Sequence, residues 1–184
     1  GPKSVVSNFP GAGLADTWHP VALANSLSGT DLRIGTGDVT ASFNSDIDNN
    51  DNCFLNHNWY YGLDGLAGTD FDSIHVMLHE IAHGIGFVSL VDGETGAKFL
   101  NLNDSYMSHL EDPYTGKMWP DMTNEERVAS ATNTGQLHWT GANLVEAGTI
   151  LVDGRDPESG HVEMYAPPEY SPAQTAHHFS PDVT

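Results

Sequence analysis

The sequence predicts a single α+β domain, on three observations. Hydrophobic residues make up 39% of the 184, four Trp among them, enough apolar material for one domain with a sizeable core. Three segments read as helices and four as short strands, interleaved along the chain. No internal repeat or low-complexity linker divides it, so residues 3–184 are assigned to one domain. Gly1-Pro2 reads as the scar of tag removal, which leaves the natural N-terminus and any export signal out of view.

The elements follow in order. Val5 and Val6 begin a first strand. Thr17 to Ser26 reads as a helix, with Pro20 in its first turn and Gly29 after its end. Asp38 to Phe43 alternates, with Val39, Ala41 and Phe43 on one face, and reads as a strand. Residues 44–58 are rich in Asn and Asp and read as a loop, and residues 91–103 as an irregular stretch. Thr123 to Thr132 is a helix opened by a capping box of Thr123 and Glu126. Thr149 to Val152 and His161 to Tyr165 are strand-like, separated by a turn rich in Gly, Asp and Pro. The tail from Pro167 is a loop.

The helix over about 72–84 carries the chemistry. Thr69 or Asp70 can cap it, and Asp72 puts negative charge in its first turn. Ile74, Met77, Leu78, Ile81 and Ile85 recur at steps of three and four and form an apolar stripe, and Gly84 and Gly86 supply a stop. Residues 79–83 read His-Glu-Ile-Ala-His. Histidines four apart project from one helix face a turn apart, so His79 and His83 can reach one zinc ion. Glu80 lies beside the metal without ligating it and can take a proton from water that the metal activates.

Composition excludes some partners. Six Lys and Arg against 25 Asp and Glu give a net charge of −19. Such a surface repels nucleic acid and anionic membrane. No apolar run is long enough to span a bilayer, and no signal peptide is visible. Cys53 is the sole cysteine, so no disulfide forms within the chain. Nothing in the sequence sets an oligomeric state. Asp46-Ile47-Asp48-Asn49-Asn50-Asp51 partly imitates a calcium loop, but Asp51 stands where such loops need Gly and His57 where they need Glu. A solvated turn is the simpler expectation, and Ca2+ at a site of another geometry is the alternative.

A catalytic zinc usually keeps three protein ligands and one open position. Residues 79–86 match His-Glu-x-x-His-x-x-Gly, whose usual extension places a third histidine at position 89, where this chain has Ser89. His75 lies a turn before His79, and three consecutive turns cannot converge on one tetrahedral ion. His19, His57, His138 and His161 stand in contexts without a ligand signature. His109 and Asp104, in a short helix-like stretch, and the pair His177-His178 in the tail remain as candidates.

His-Glu-Ile-Ala-His-Gly-Ile-Gly-Phe (79–87) resembles the leishmanolysin-type branch of the metzincins. Trp59 to Asp64, Arg127 to Ser130 and Met164 to Pro167 also look like segments of related bacterial secreted peptidases, some of which carry an inserted protease-associated domain that Leu151 to Tyr165 leaves no room for. The resemblance covers most of the chain from about residue 17, with only the zinc motif highly specific. It implies a zincin-like fold: a twisted, mixed and mostly parallel sheet packed on the zinc helix, with a cleft between two subdomains and Asp38 to Phe43 as an edge strand beside it. It implies Zn2+ held by His79, His83 and His178, with His177 as the alternative third ligand. It further implies Glu80 as general base, a protein or peptide substrate, and secretion. No methionine follows His178 up to Thr184, and Met164 precedes it, so the Met-containing turn of that branch is not among these residues: the chain is trimmed or clipped before it, or the turn is absent. The alternatives to a zinc endopeptidase are therefore an inactive zinc-binding module and a zinc hydrolase of a non-protein substrate.

Overall fold

The computed structural model describes residues 1–172, 174–181 and 183. In chain order its elements are β1 (Val5–Val6), β2 (Thr17–Pro20), α1 (Val21–Ser28), α2 (Asp46–Asn49), β3 (Trp59–Tyr60), β4 (Phe71–Asp72) and α3 (Ser73–Ile85). There follow β5 (Asn103–Asp104), β6 (Leu110–Asp112), β7 (Lys117–Met118), α4 (Asn124–Ala131), β8 (His138–Trp139), α5 (Ala142–Ala147) and β9 (Val162–Glu163). The class is α+β. The strands form three small sheets among the described residues, in the orders β1-β2-β5, β3-β4 and β7-β6-β8-β9. The largest is antiparallel throughout and lies in the C-terminal half. This corrects the expected mostly parallel sheet on the helix that carries His79 and His83: that helix follows directly on β4, which pairs in parallel with β3 alone.

Three element readings change for local reasons. Thr17 to Pro20 is a strand, antiparallel to β1 and parallel to β5, and the helix begins only at Val21. Proline disfavours helical backbone in the residue before it, and Pro20 is itself extended (φ −51°, ψ 139°). Gly29 closes α1 in the left-handed conformation. Asp38 to Phe43 is not a strand. Its backbone pairs with the first residues of the chain, where Lys3 N–H donates to the Asp38 carbonyl and Thr40 N–H to that of Gly1, and the ladder ends at the bridge between Pro2 and Val39. Residues 148–150 form a 3-10 turn after α5, closed by the Leu151 N–H on the Gly148 carbonyl, in place of a strand from Thr149. Other expectations match the structure. Thr123 and Glu126 form the reciprocal capping box on α4, and Val162–Glu163 is a strand paired with β8.

The apolar stripe of α3 is not its buried face. Leu78 and Ile81 are 63% and 41% exposed, and Ile74, Met77 and Ile85 are exposed with them. The helix packs instead where it is narrow: Gly84 is buried against the Val39 side chain, and α1 lies against it. Small residues permit such close approach, whereas the stripe's bulk holds neighbours off.

The core is formed by Tyr106, Met107, Leu110, Trp119, Leu137 and Met164 with smaller neighbours, and Phe87, Trp139 and Phe179 pack on its edge. Arg127 is buried beside it and donates to the Gly96, Trp119 and Met122 carbonyls and to Asn124 Oδ1. Asp104, at 2% exposure, accepts from Ser89 Oγ, Leu90 N–H and Met107 N–H at 2.7–3.0 Å. Burial raises its pKa, against the pull of these donors. Asp104→Ala leaves three donors without their acceptor, at ~1–3 kcal/mol for each, less what is regained by no longer burying a carboxylate. The expected net loss is roughly 2–4 kcal/mol, read by denaturant unfolding; a change within ~0.5 kcal/mol would show that water replaces the carboxylate. No helix among the described residues is long and apolar enough to cross a membrane.

Candidate metal centre

The start of α3 is set by Asp72, whose carboxylate accepts the Ile74 and His75 N–H groups, each at 3.0 Å. Asp72 is thus the cap itself. Thr69 and Asp70, the caps expected from the sequence, serve the neighbouring loop instead: Asp70 accepts the Asn58 N–H, and the Thr69 carbonyl faces the His57 ring. The far end closes at Gly86 (φ 133°), and the chain turns so that Phe87 N–H bonds to the Ala82 carbonyl. Only glycine adopts that φ readily. The turn brings the Phe87 carbonyl to 2.7 Å from His83 Nδ1. A carbonyl only accepts, so Nδ1 carries the proton and Nε2 presents a bare lone pair. Phe87 is fixed in turn by the rings of Tyr106, Trp139 and Phe179, at centroid distances of 5.0–5.3 Å.

The tail supplies the third imidazole. Its backbone is tied to the strand before it: Tyr165 N–H donates to the His178 carbonyl, Met164 bridges Phe179, and Ser180 N–H donates to Glu163. His178 Nδ1 lies 2.9 Å from the Gln174 carbonyl, which fixes the same tautomer as in His83. The three Nε2 atoms then form a small triangle. Its edges are 3.1 Å (His79 to His83), 3.3 Å (His83 to His178) and 3.0 Å (His79 to His178). Nitrogens 2.0–2.1 Å from one tetrahedral ion lie about 3.3 Å apart, so the triangle fits a small divalent cation. Among the described residues these three side chains are the group able to hold a metal, and no fourth protein donor joins them.

The electrostatics agree with that use. Burial first, then the neighbouring His83 and His178, lowers the pKa of His79. Glu80 is half-buried and outside the triangle, and its carboxylate has no hydrogen-bond partner among the described residues.

The other candidates stand elsewhere. His177 lies apart from the triangle, its ring 6.4 Å from that of Tyr106, and burial with the two nearby histidines lowers its pKa to about 4. His109 packs against Trp139, ring centroids 5.0 Å apart, and Asp104 is spent on Ser89, Leu90 and Met107; neither belongs to the site. Ser89, at the position of the missing histidine, is buried and donates to Asp104. His75 is exposed. His19 and His57 bond to backbone carbonyls, His138 Nε2 faces the Gly135 carbonyl, and His161 pairs with Glu111, a pair sequence spacing did not suggest. In the acidic loop, Asp48 accepts from the Trp59 N–H and the Tyr61 hydroxyl, and its carboxylate is not gathered with those of Asp46 and Asp51 into a donor group. The residues missed by sequence reasoning are those that hold the ligands, Phe87 and Gln174. Both act through backbone carbonyls, which leave no trace in residue type.

Comparisons with protein-family models, with curated proteins and with solved structures return no match for this chain.

Proposed function

We propose that this chain is a zinc-dependent endopeptidase of the leishmanolysin-type metzincin branch, secreted, with protein or peptide as its substrate. The observation that carries the reading is the convergence of three Nε2 atoms, from His79, His83 and His178, two of them fixed as bare lone pairs, with the unpartnered carboxylate of Glu80 next along the helix. The His83 and His178 lone pairs, 3.3 Å apart, repel unless a proton or cation lies between them, and the third ring nitrogen at 3.0 and 3.1 Å completes a donor set for an ion. Three imidazoles suit several transition metals, and zinc is the one whose chemistry matches an adjacent glutamate and an open position.

His79, His83 and His178 would hold the zinc. When bound, zinc would supply Lewis-acid activation of water and of the scissile carbonyl. Glu80 takes the proton released by the attacking water and delivers it to the leaving amine. The carbonyls of Phe87 and Gln174 keep two of the rings in the ligating tautomer throughout. An acidic surface of net charge −19 favours substrates with basic flanks.

The test is cleavage of an unfolded protein such as casein, before and after a strong chelator and again with zinc restored. Cleavage that stops and recovers is the expected result. Stoichiometric zinc without cleavage of any protein or peptide substrate favours the inactive-module reading, and turnover of a non-protein substrate alone favours the other hydrolase.

A further inference from the structure

A cavity of about 370 Å³ beside the histidine triangle is walled by His79, Tyr165, Gln174, His178, Phe179 and Pro181. Tyr165 is the one hydroxyl-bearing residue among the described residues that wall it. Its place there follows from strand alternation. Met164 and Ala166, on either side of it, are 1% and 3% exposed in the core, so the half-buried Tyr165 faces the opposite way, into the cavity. Two main-chain bonds lock it to the segment that carries His178. Its N–H donates to the His178 carbonyl at 2.8 Å, and its carbonyl accepts the Ala176 N–H at 2.7 Å. Other tyrosines use their hydroxyls in structural bonds: Tyr106 on the Ala176 carbonyl, Tyr61 on Asp48 and Tyr60 on Asp64. The Tyr165 hydroxyl has no hydrogen-bond partner among the described residues. A phenol held at fixed register beside two of the histidines, with its donor unused, is a preorganised partner for charge that appears only during reaction.

We propose that Tyr165 is a catalytic residue that donates a hydrogen bond to the oxygen of the scissile carbonyl as negative charge develops on it. The inference rests on the endopeptidase reading above. In the addition step the water oxygen bonds to the carbonyl carbon, the carbonyl π pair moves onto its oxygen, and the water's proton goes to Glu80. Tyr165 keeps its own proton and shares it with that oxygen. On collapse the pair returns to re-form the carbonyl, the carbon–nitrogen bond breaks, and the proton on Glu80 passes to the amine nitrogen.

The experiment is Tyr165→Phe, which removes one oxygen and keeps the ring. Zinc content and Tm should equal those of the unsubstituted protein, kcat should fall by ~10²–10³, and KM should change by no more than about twofold. A second readout needs no turnover. In a Glu80→Gln background, calorimetry compares a peptide carrying a tetrahedral phosphinic group with the same peptide carrying an ordinary amide. Tyr165→Phe should weaken the phosphinic peptide by a factor comparable to the kcat loss and leave the amide peptide unmoved. An unchanged kcat in an active enzyme, or equal weakening of both peptides, overturns the role of Tyr165 and leaves the endopeptidase reading standing. Loss of zinc or Tm makes Tyr165 a structural wall, which also overturns it. An unsubstituted protein that binds zinc and cleaves nothing overturns the endopeptidase reading, and the Tyr165 role with it.

Discussion

Glu80→Ala protein is expected to retain about one zinc per chain while its turnover falls by at least ~10²–10⁴, the usual contribution of a positioned general base. The carboxylate is half-buried, stands outside the histidine triangle and has no hydrogen-bond partner to lose. Its removal therefore disturbs neither the ligands nor the packing of α3, and stability should hold within ~0.5 kcal/mol. The loss exceeds that range if the same carboxylate also orients the water, because base and positioning then fail together. Glu80→Gln separates the two effects, since the amide keeps the shape and a hydrogen-bonding oxygen but accepts no proton. Metal analysis and single-turnover cleavage of a peptide read the outcome. A Glu80→Ala protein that loses its zinc would make Glu80 a ligand and reverse the assigned roles.

How much of this was legible in the sequence depends on the range of the forces involved. The chemistry of α3 was legible because it is local. Four-residue spacing puts His79 and His83 on one face whatever surrounds the helix, and the Thr123–Glu126 capping box of α4 is equally local. The cap was misplaced by two or three residues, though the helix itself by only about one, because Asp70 and Asp72 are both competent caps. Their choice is settled by the β3–β4 pairing, which uses Phe71 and Asp72 and leaves Asp70 to the Asn58 N–H. The apolar stripe of α3 misled for a related reason. Periodicity reports which residues share a face, and packing decides which face is buried; here the close fit of Gly84 on Val39 decided it. Asp38 to Phe43 alternates like a strand, but its pairing partner is only the first few residues of the chain. Strand pairing is non-local, so the three small sheets lay beyond periodicity. The third histidine was reached through family resemblance, because nothing in the residues 174–179 taken alone marks which side of the segment faces α3.

His178→Ala is expected to lower zinc affinity by several orders of magnitude, with His177→Ala and His109→Ala close to the unsubstituted protein. Two histidines from one helix leave a tetrahedral ion with half its positions unfilled by protein, and a third nitrogen held in place supplies the remaining anchor. His178 is preorganised for this at both ends of its ring: Nδ1 is held by the Gln174 carbonyl, and Nε2 stands 3.0 and 3.3 Å from its two partners. His177 faces Tyr106 instead, and His109 packs against Trp139, so neither truncation removes a donor from the triangle. The pH dependence gives an independent check. A protonated imidazole cannot ligate, so affinity is full above the histidine range of ~6.5 and falls as pH drops through it. Burial, then the proximity of His83 and His178, lowers the pKa of His79. His79 therefore keeps its lone pair to a lower pH than a free histidine does, and the onset of its contribution to zinc loss lies on the acid side of ~6.5. In His178→Ala one of those two neighbours is gone, so the pKa of His79 rises toward the ordinary value and the onset moves to higher pH. Zinc titrations of the three variants across pH 4.5 to 8 read both effects. A His178→Ala protein with undiminished affinity, beside a His109→Ala protein that has lost it, would move the third ligand out of the tail and remove the geometric ground for a peptidase.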